Sequence, residues 1–246
     1  MEFLLAVQFL TKIPITIHSS VEEKNMARAM AYFPIVGLLL GALAAAIHYL
    51  LSFVLTAATS DLMTIAFLVI ITGNLHGDGL MDSADGLFSG RPREGILTIM
   101  KDSRVGSHGV IAGSLALLAK FVLLGQLPLA SKEWALVLVL ALGRWAQVYA
   151  ATIYPYARTG GGTGSFTENV KARELFWASL TVLVPIILSL GWQGSILAGS
   201  VLIGTVGLAH YMAGKIGGIT GDILGALNEW TEVLTLLILQ IIIGHL

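Results

Sequence analysis

The uncharged stretches of this chain limit its folding choices more than any other feature. No Asp, Glu, Lys or Arg occurs between Arg28 and Asp61, and none between Glu174 and Lys215. A helix crossing a hydrocarbon layer about 30 Å thick needs about 20 mostly apolar residues. The first stretch is therefore long enough for one crossing, near residues 30–57. The second is long enough for two, divided at Gly191-Trp192-Gln193-Gly194. Apolar segments at 62–75, 105–129, 134–153 and 231–246 bring the expectation to about seven spans. The fold class expected is all-α, a polytopic transmembrane helix bundle forming one domain over residues 1–246. Residues 1–12 are expected to add a short amphipathic helix at the interface.

Composition narrows the function classes. Of 246 residues 56% are hydrophobic and 12% charged, against roughly a quarter charged in soluble domains, so the bilayer is the expected main solvent. A net charge of -1 gives no field that would attract nucleic acid. The absence of cysteine excludes disulfides, thiolate metal sites and cysteine nucleophiles. The opening MEFLLAVQFLTK has neither a basic leader nor a small-residue cleavage site and does not read as a removable signal peptide.

Charge asymmetry orients the expected bundle. With the N-terminus cytoplasmic, eleven of the fourteen basic residues fall in cytoplasmic segments, Lys132 falls outside, and Lys120 and Arg144 sit within spans. Positive charge is retained on the cytoplasmic side, so this orientation is favoured over its inverse. It also leaves only Asp61 and Glu133 outside among the acidic residues, which puts the candidate chemistry on one face.

That chemistry centres on Gly73-Asn74-Leu75-His76-Gly77-Asp78-Gly79-Leu80-Met81-Asp82-Ser83-Ala84-Asp85-Gly86. Carboxylates spaced four and then three residues apart point the same way on a helix. Three like charges on one stripe near a bilayer are costly unless a cation compensates them. Hard oxygen ligands suit Mg²⁺ or Mn²⁺, ions that also bind substrate phosphates. A solvated helix end with loop-forming glycines is the plainer alternative. It does not explain why Asp, a poor helix former, recurs on one face without an intervening Lys or Arg.

Two further polar blocks stand at span boundaries. Met100-Lys101-Asp102-Ser103-Arg104-Val105-Gly106-Ser107-His108-Gly109 alternates acid with base. Asp102 could complete a metal shell and Lys101 or Arg104 could neutralise phosphate oxygens; a boundary ion pair is the competing reading. Gly217-Gly218-Ile219-Thr220-Gly221-Asp222-Ile223-Leu224-Gly225-Ala226 adds a carboxylate amid small residues, which let backbones approach closely. Arg158 opens a glycine-rich run, 158–165, that is nest-like in composition but carries no Walker pattern. His76, two residues before Asp78, is the histidine with an acidic context; His108 is a weaker candidate. His18, His48, His210 and His245 read as packing or surface residues. Glu229 and Glu232 share a helix face near the last span.

The strings HGDGLMDSADG, KDSRVGSHG and TGDILGA, in this order, resemble the cobalamin synthase (adenosylcobinamide-GDP ribazoletransferase) family over essentially the whole chain, with more distant likeness to CDP-alcohol phosphotransferases. Asn74, Gly77 and Met81 depart from the family's commoner residues, but none replaces a carboxylate. The resemblance implies condensation of a GDP-activated corrinoid, adenosylcobinamide-GDP, with α-ribazole or its 5'-phosphate, releasing GMP at a magnesium centre that takes up to two ions and accepts Mn²⁺. Transferred by position, it implies metal ligands Asp78, Asp82, Asp85 and Asp102. Catalytic roles fall on Asp82, Asp85, Asp102 and His76, and substrate contacts on Lys101, Arg104, Arg158 and Asp222. The implied setting is a prokaryotic cytoplasmic membrane with the site facing the cytoplasm, with the bilayer as a partner and room for a second copy of the chain.

Two rival readings remain. A lipid-directed alcohol phosphotransferase would use similar carboxylates, and Asp82-Ser83-Ala84-Asp85-Gly86 matches the opening of its D-x-x-D-G-x-x-A-R signature. The Ala-Arg and the later aspartate pair are missing. A transporter would place carboxylates near the middle of spans, whereas here they cluster at one face.

Overall fold

The computed structural model describes residues 1–17, 20–158 and 166–244. Among these residues eleven α-helices run in order: α1 (Glu2–Leu10), α2 (Glu23–Ala29), α3 (Phe33–Leu51), α4 (Ala57–Thr72), α5 (Leu75–Leu87), α6 (Arg93–Ile99), α7 (Ser107–Gln126), α8 (Leu129–Ile153), α9 (Ala172–Leu190), α10 (Gln193–Ile216) and α11 (Gly221–Gly244). There is no strand among the described residues, only a parallel bridge between Tyr156 and Ile219. Among the described residues six helical segments are long and apolar enough to cross a membrane, or seven if the bent pair α4–α5 is taken as one span. The chain is accordingly a multi-pass membrane bundle. In a bilayer the backbone must satisfy its own hydrogen bonds, which is why every crossing is helical.

Short connections force neighbouring spans to alternate direction. One end of the bundle therefore gathers α5, α6, the start of α7, the end of α8 and the α10–α11 junction. The opposite end gathers the α3–α4 and α7–α8 turns. Helix α8 lies deepest and packs along α3 and α11. Its contact with α3 runs over Gly37 and Gly41, where an added Cβ would lie within 2.7 Å of the α8 backbone. Membrane helices gain van der Waals contact through such small-residue seams, since lipid offers no hydrophobic drive for their association. Helix α1 turns Leu5, Ala6 and Leu10 onto the bundle, and Phe9 stacks on Phe33 at 5.7 Å.

Two differences from the sequence reading are polar. Helix α11 begins at Gly221 rather than near 231, so Asp222, Glu229 and Glu232 all belong to it. Asp61 and Lys132, expected in loops outside the bilayer, are buried with His48 at the end remote from α5. Lys132 Nζ donates to both Asp61 oxygens at 2.7 and 2.6 Å, and His48 Nε2 lies 3.0 Å from Asp61 Oδ1. Mutual pairing lets charged groups leave water, and partners in different helices cannot be read from one local window.

Candidate active site

The acidic segment owes its placement to a sharp break. Gly73 (φ 62°) and Asn74 (φ 56°) both adopt left-handed backbone, and α5 turns 86° from α4. Glycine carries no Cβ penalty there, and asparagine tolerates it better than most residues. Helix α5 thereby leaves the α4 crossing and lies across the end of the bundle, carrying His76, Asp78, Asp82 and Asp85. It seats directly on α11. A Cβ at Gly79 would stand 2.8 Å from the Asp222 carbonyl, and one at Gly225 would stand 3.0 Å from the His76 carbonyl. The small residues of the first and third motifs thus serve one backbone contact, which brings Asp222 beside the α5 carboxylates.

The electrostatics bear out that convergence. Asp82 is raised from 3.8 to about 6, first by burial, then by Asp78, Asp222 and Asp85, against a smaller opposing pull from Arg158. Like charges sharing a site make the ionised form costly. Neither Asp78 nor Asp82 has a hydrogen bond or ion pair among the described residues. Asp85 differs: Oδ2 accepts from Gly106 N at 2.7 Å and Oδ1 from Gly109 N at 2.8 Å. Its carboxylate caps the positive N-terminus of α7 and joins the first motif to the second. Gly106 and Gly109 leave room for it, since a Cβ at either position would meet that carboxylate. Asp222 accepts from Arg158 Nη2 at 2.7 Å and from Thr220 Oγ1 at 3.3 Å.

Other residues singled out in the sequence stand apart from this core. Asp102 is clamped by Arg104, whose Nη2 donates to Oδ2 at 2.7 Å and Nε to Oδ1 at 3.0 Å. The exposed Arg104 guanidinium holds the Asp102 carboxyl down at about 2, and Asp102 is not among the charges acting on Asp82. Lys101 is exposed and makes no ion pair among the described residues. His76 is 4% exposed and faces inward, 3.1 Å from Gln147 Nε2, and does not join the aspartates. His108 packs its ring near Phe88. The glycine-rich run beyond Arg158, with His18 and His245, lies outside the described residues.

Beneath α5 runs a polar network that the sequence did not reveal. Lys120 on α7 donates to Glu229 at 2.7 Å and Glu232 at 2.5 Å, and Arg144 on α8 also pairs with Glu232. Asn228 Nδ2 donates to Glu232 Oε1 at 2.9 Å, and Gln147 Nε2 to Asn228 Oδ1 at 3.0 Å, which links the network to His76. A cavity of about 60 Å³ borders His76, Lys120, Arg144, Glu229 and Glu232. The signal available in the sequence was the balance of two cations and two carboxylates inside spans, since such charges are normally paired.

For a divalent cation, the donor set fits by chemistry. Asp78 and Asp82 offer free hard oxygens, and their crowding is what a cation would relieve. Among the described residues the side chains do not close into a ready-made set of three ligands.

Comparison with known proteins then identifies the lineage. The family model described as Cobalamin-5-phosphate synthase matches residues 2–240. The chain belongs to this family. Among its relatives, an adenosylcobinamide-GDP ribazoletransferase of Desulforamulus reducens is 40% identical over 98% of this chain and 96% of its own. Proteins of the same name from Acetivibrio thermocellus and Clostridium acetobutylicum are 35% and 36% identical, over 96% and 95% of this chain and 95% and 93% of theirs. No solved structure matches. The α5 carboxylates and the α11 contact therefore lie in a chain related to this family from end to end.

Proposed function

We propose that this protein is a metal-dependent adenosylcobinamide-GDP ribazoletransferase, a cobalamin synthase acting late in cobalamin biosynthesis. It transfers the phosphoryl-corrinoid group of adenosylcobinamide-GDP to α-ribazole or α-ribazole 5'-phosphate, releasing GMP. The observation that carries this reading is the crowding of Asp78, Asp82, Asp85 and Asp222 at the α5–α11 contact, in a chain of this family. The site faces the cytoplasm of a prokaryotic cell, in line with the predominance of basic residues on that side.

The chemistry follows from charge. The acceptor hydroxyl attacks the phosphorus that bears the corrinoid, its P–O bond to GMP breaks, and GMP departs with the electron pair. Mg²⁺, one ion or two with Mn²⁺ as a substitute, neutralises the diphosphate oxygens when bound. Asp78, Asp82 and Asp85 are its proposed holders, Asp85 by lone pairs not used on α7. The incoming hydroxyl passes its proton to a carboxylate. That carboxylate must be free of metal, and Asp102, held at about 2 by Arg104, is a poor acceptor, which leaves the role to Asp82 or Asp85 where an oxygen is not engaged by metal. Asp102 joins the metal shell only by leaving Arg104. His76 supports α5 from below, while Lys101, Arg104, Arg158 and Asp222 contact substrate.

The test offers purified protein adenosylcobinamide-GDP with α-ribazole, and in parallel CDP-diacylglycerol with a small alcohol. GMP release from the first mixture alone is expected. CMP release from the second without GMP from the first would replace this reading with a lipid phosphotransferase.

A further inference from the structure

Beside the acidic core lies a separate cleft of about 300 Å³, walled by α6 and the segment that leads out of α8. Its lining includes Arg93, Thr98, Lys101 and Arg158, with Glu94 as the single acid. The three cations are not equivalent. Arg93 is committed to architecture: Nε donates to the Ile216 carbonyl at 2.7 Å, Nη2 to the Ala157 carbonyl at 2.7 Å, and Nη1 to Glu94 at 2.7 Å. It ties both walls to the end of α10. The same wall is fixed by Ala157 N donating to Ile219 O at 2.8 Å and Ile219 N to Pro155 O at 2.9 Å.

That leaves two cations with capacity. Lys101 has no ion pair among the described residues, and its ammonium is free for an anion. Arg158 belongs to both places: Nη2 holds Asp222 at 2.7 Å, while the side chain also lines the cleft. A guanidinium carries five N–H donors, so the bond to Asp222 leaves others for an anion in the adjoining cleft. Arg104 lines no part of this cleft and is taken up by Asp102.

The geometry points to this cleft as the seat of the leaving nucleotide's phosphate, held by Lys101 and Arg158, with Arg93 as the residue that shapes the walls. The inference rests on the proposed transferase reaction. The phosphorus under attack belongs at the acidic core, and the phosphate of GMP is one bridging oxygen away. Arg158 belongs to both, with its charge acting on Asp82 on one side and its side chain lining the cleft on the other. Positive charge on the departing side stabilises the charge that develops as the P–O bond to GMP breaks. The ligand class is a nucleoside monophosphate recognised by its phosphate.

The experiment measures equilibrium binding of GMP and of guanosine to full-length protein in detergent with Mg²⁺, and GMP release by the same samples. Lys101→Ala should weaken GMP at least about tenfold, the loss of one charge-assisted contact, and leave guanosine unchanged. Lys101→Arg should restore most of the affinity, and Lys24→Ala, remote from the cleft, should match wild type. Unaltered GMP binding in Lys101→Ala, equal weakening of GMP and guanosine, or wild-type protein that does not bind GMP would overturn the assignment. Lys101-dependent GMP binding without turnover by wild type would instead sink the transferase reading and leave the phosphate seat standing.

Discussion

Asp82 carries the heaviest electrostatic load at the residue scale. Its folded-state value, about 6, lies above the ordinary 3.8, so its ionisation opposes folding of the metal-free protein. The stabilising contribution is fully present below 3.8 and is lost as pH rises through about 6. The side chain is part-exposed, and after discounting for solvent screening the load above pH 6 is about 1 kcal/mol. Asp82→Asn removes it: in EDTA at pH 7.5 the variant should melt higher than wild type, and the gap should close toward pH 4. A gap that does not vary with pH would contradict this. Gly109 makes a steric prediction. A Cβ there meets the Asp85 carboxylate and lies 2.9 Å from the Met81 carbonyl, and overpacking of this kind costs about 1–3 kcal/mol. Gly109→Ala should lower Tm and turnover together, since it separates α5 from α7.

Elements show what local sequence can and cannot reveal. Glu232 receives Lys120 from α7 and Arg144 from α8, and removing one partner of a buried charge set costs about 3–5 kcal/mol. Glu232→Ala should therefore reduce the yield of folded protein, read by size-exclusion in detergent, more than Glu168→Ala at the exposed bundle end. The spans were legible because apolar length alone decides a crossing, and the acidic stripe because a four-then-three spacing defines one helix face. The 86° break was not, although Gly73-Asn74 is a turn signal, because the apolar run continues up to Leu75. The capping role of Asp85 and the pairings of Lys120, Arg144 and Lys132 were hidden for another reason. Each joins residues on helices distant in sequence, and only packing decides which carboxylate meets which cation.

The crowded carboxylates of α5 and α11 stand at one end of the whole molecule, and the proposed orientation puts that end in the cytoplasm. The chain has no cysteine, so single cysteines report orientation without background. A membrane-impermeant maleimide added to intact cells should label Phe53→Cys, at the α3–α4 turn, and should label Arg91→Cys only after lysis. The reverse pattern would invert the bundle and place the acidic core outside. In the proposed reaction, α5 holds the metal at which phosphoryl transfer occurs. This is tested most directly by titrating Mg²⁺ into EDTA-treated protein and following GMP release in wild type and Asp82→Asn. Saturable, Mg²⁺-dependent release is expected in wild type and none in folded Asp82→Asn at any Mg²⁺ concentration. Release that is indifferent to EDTA, or equal in the two proteins, would contradict this.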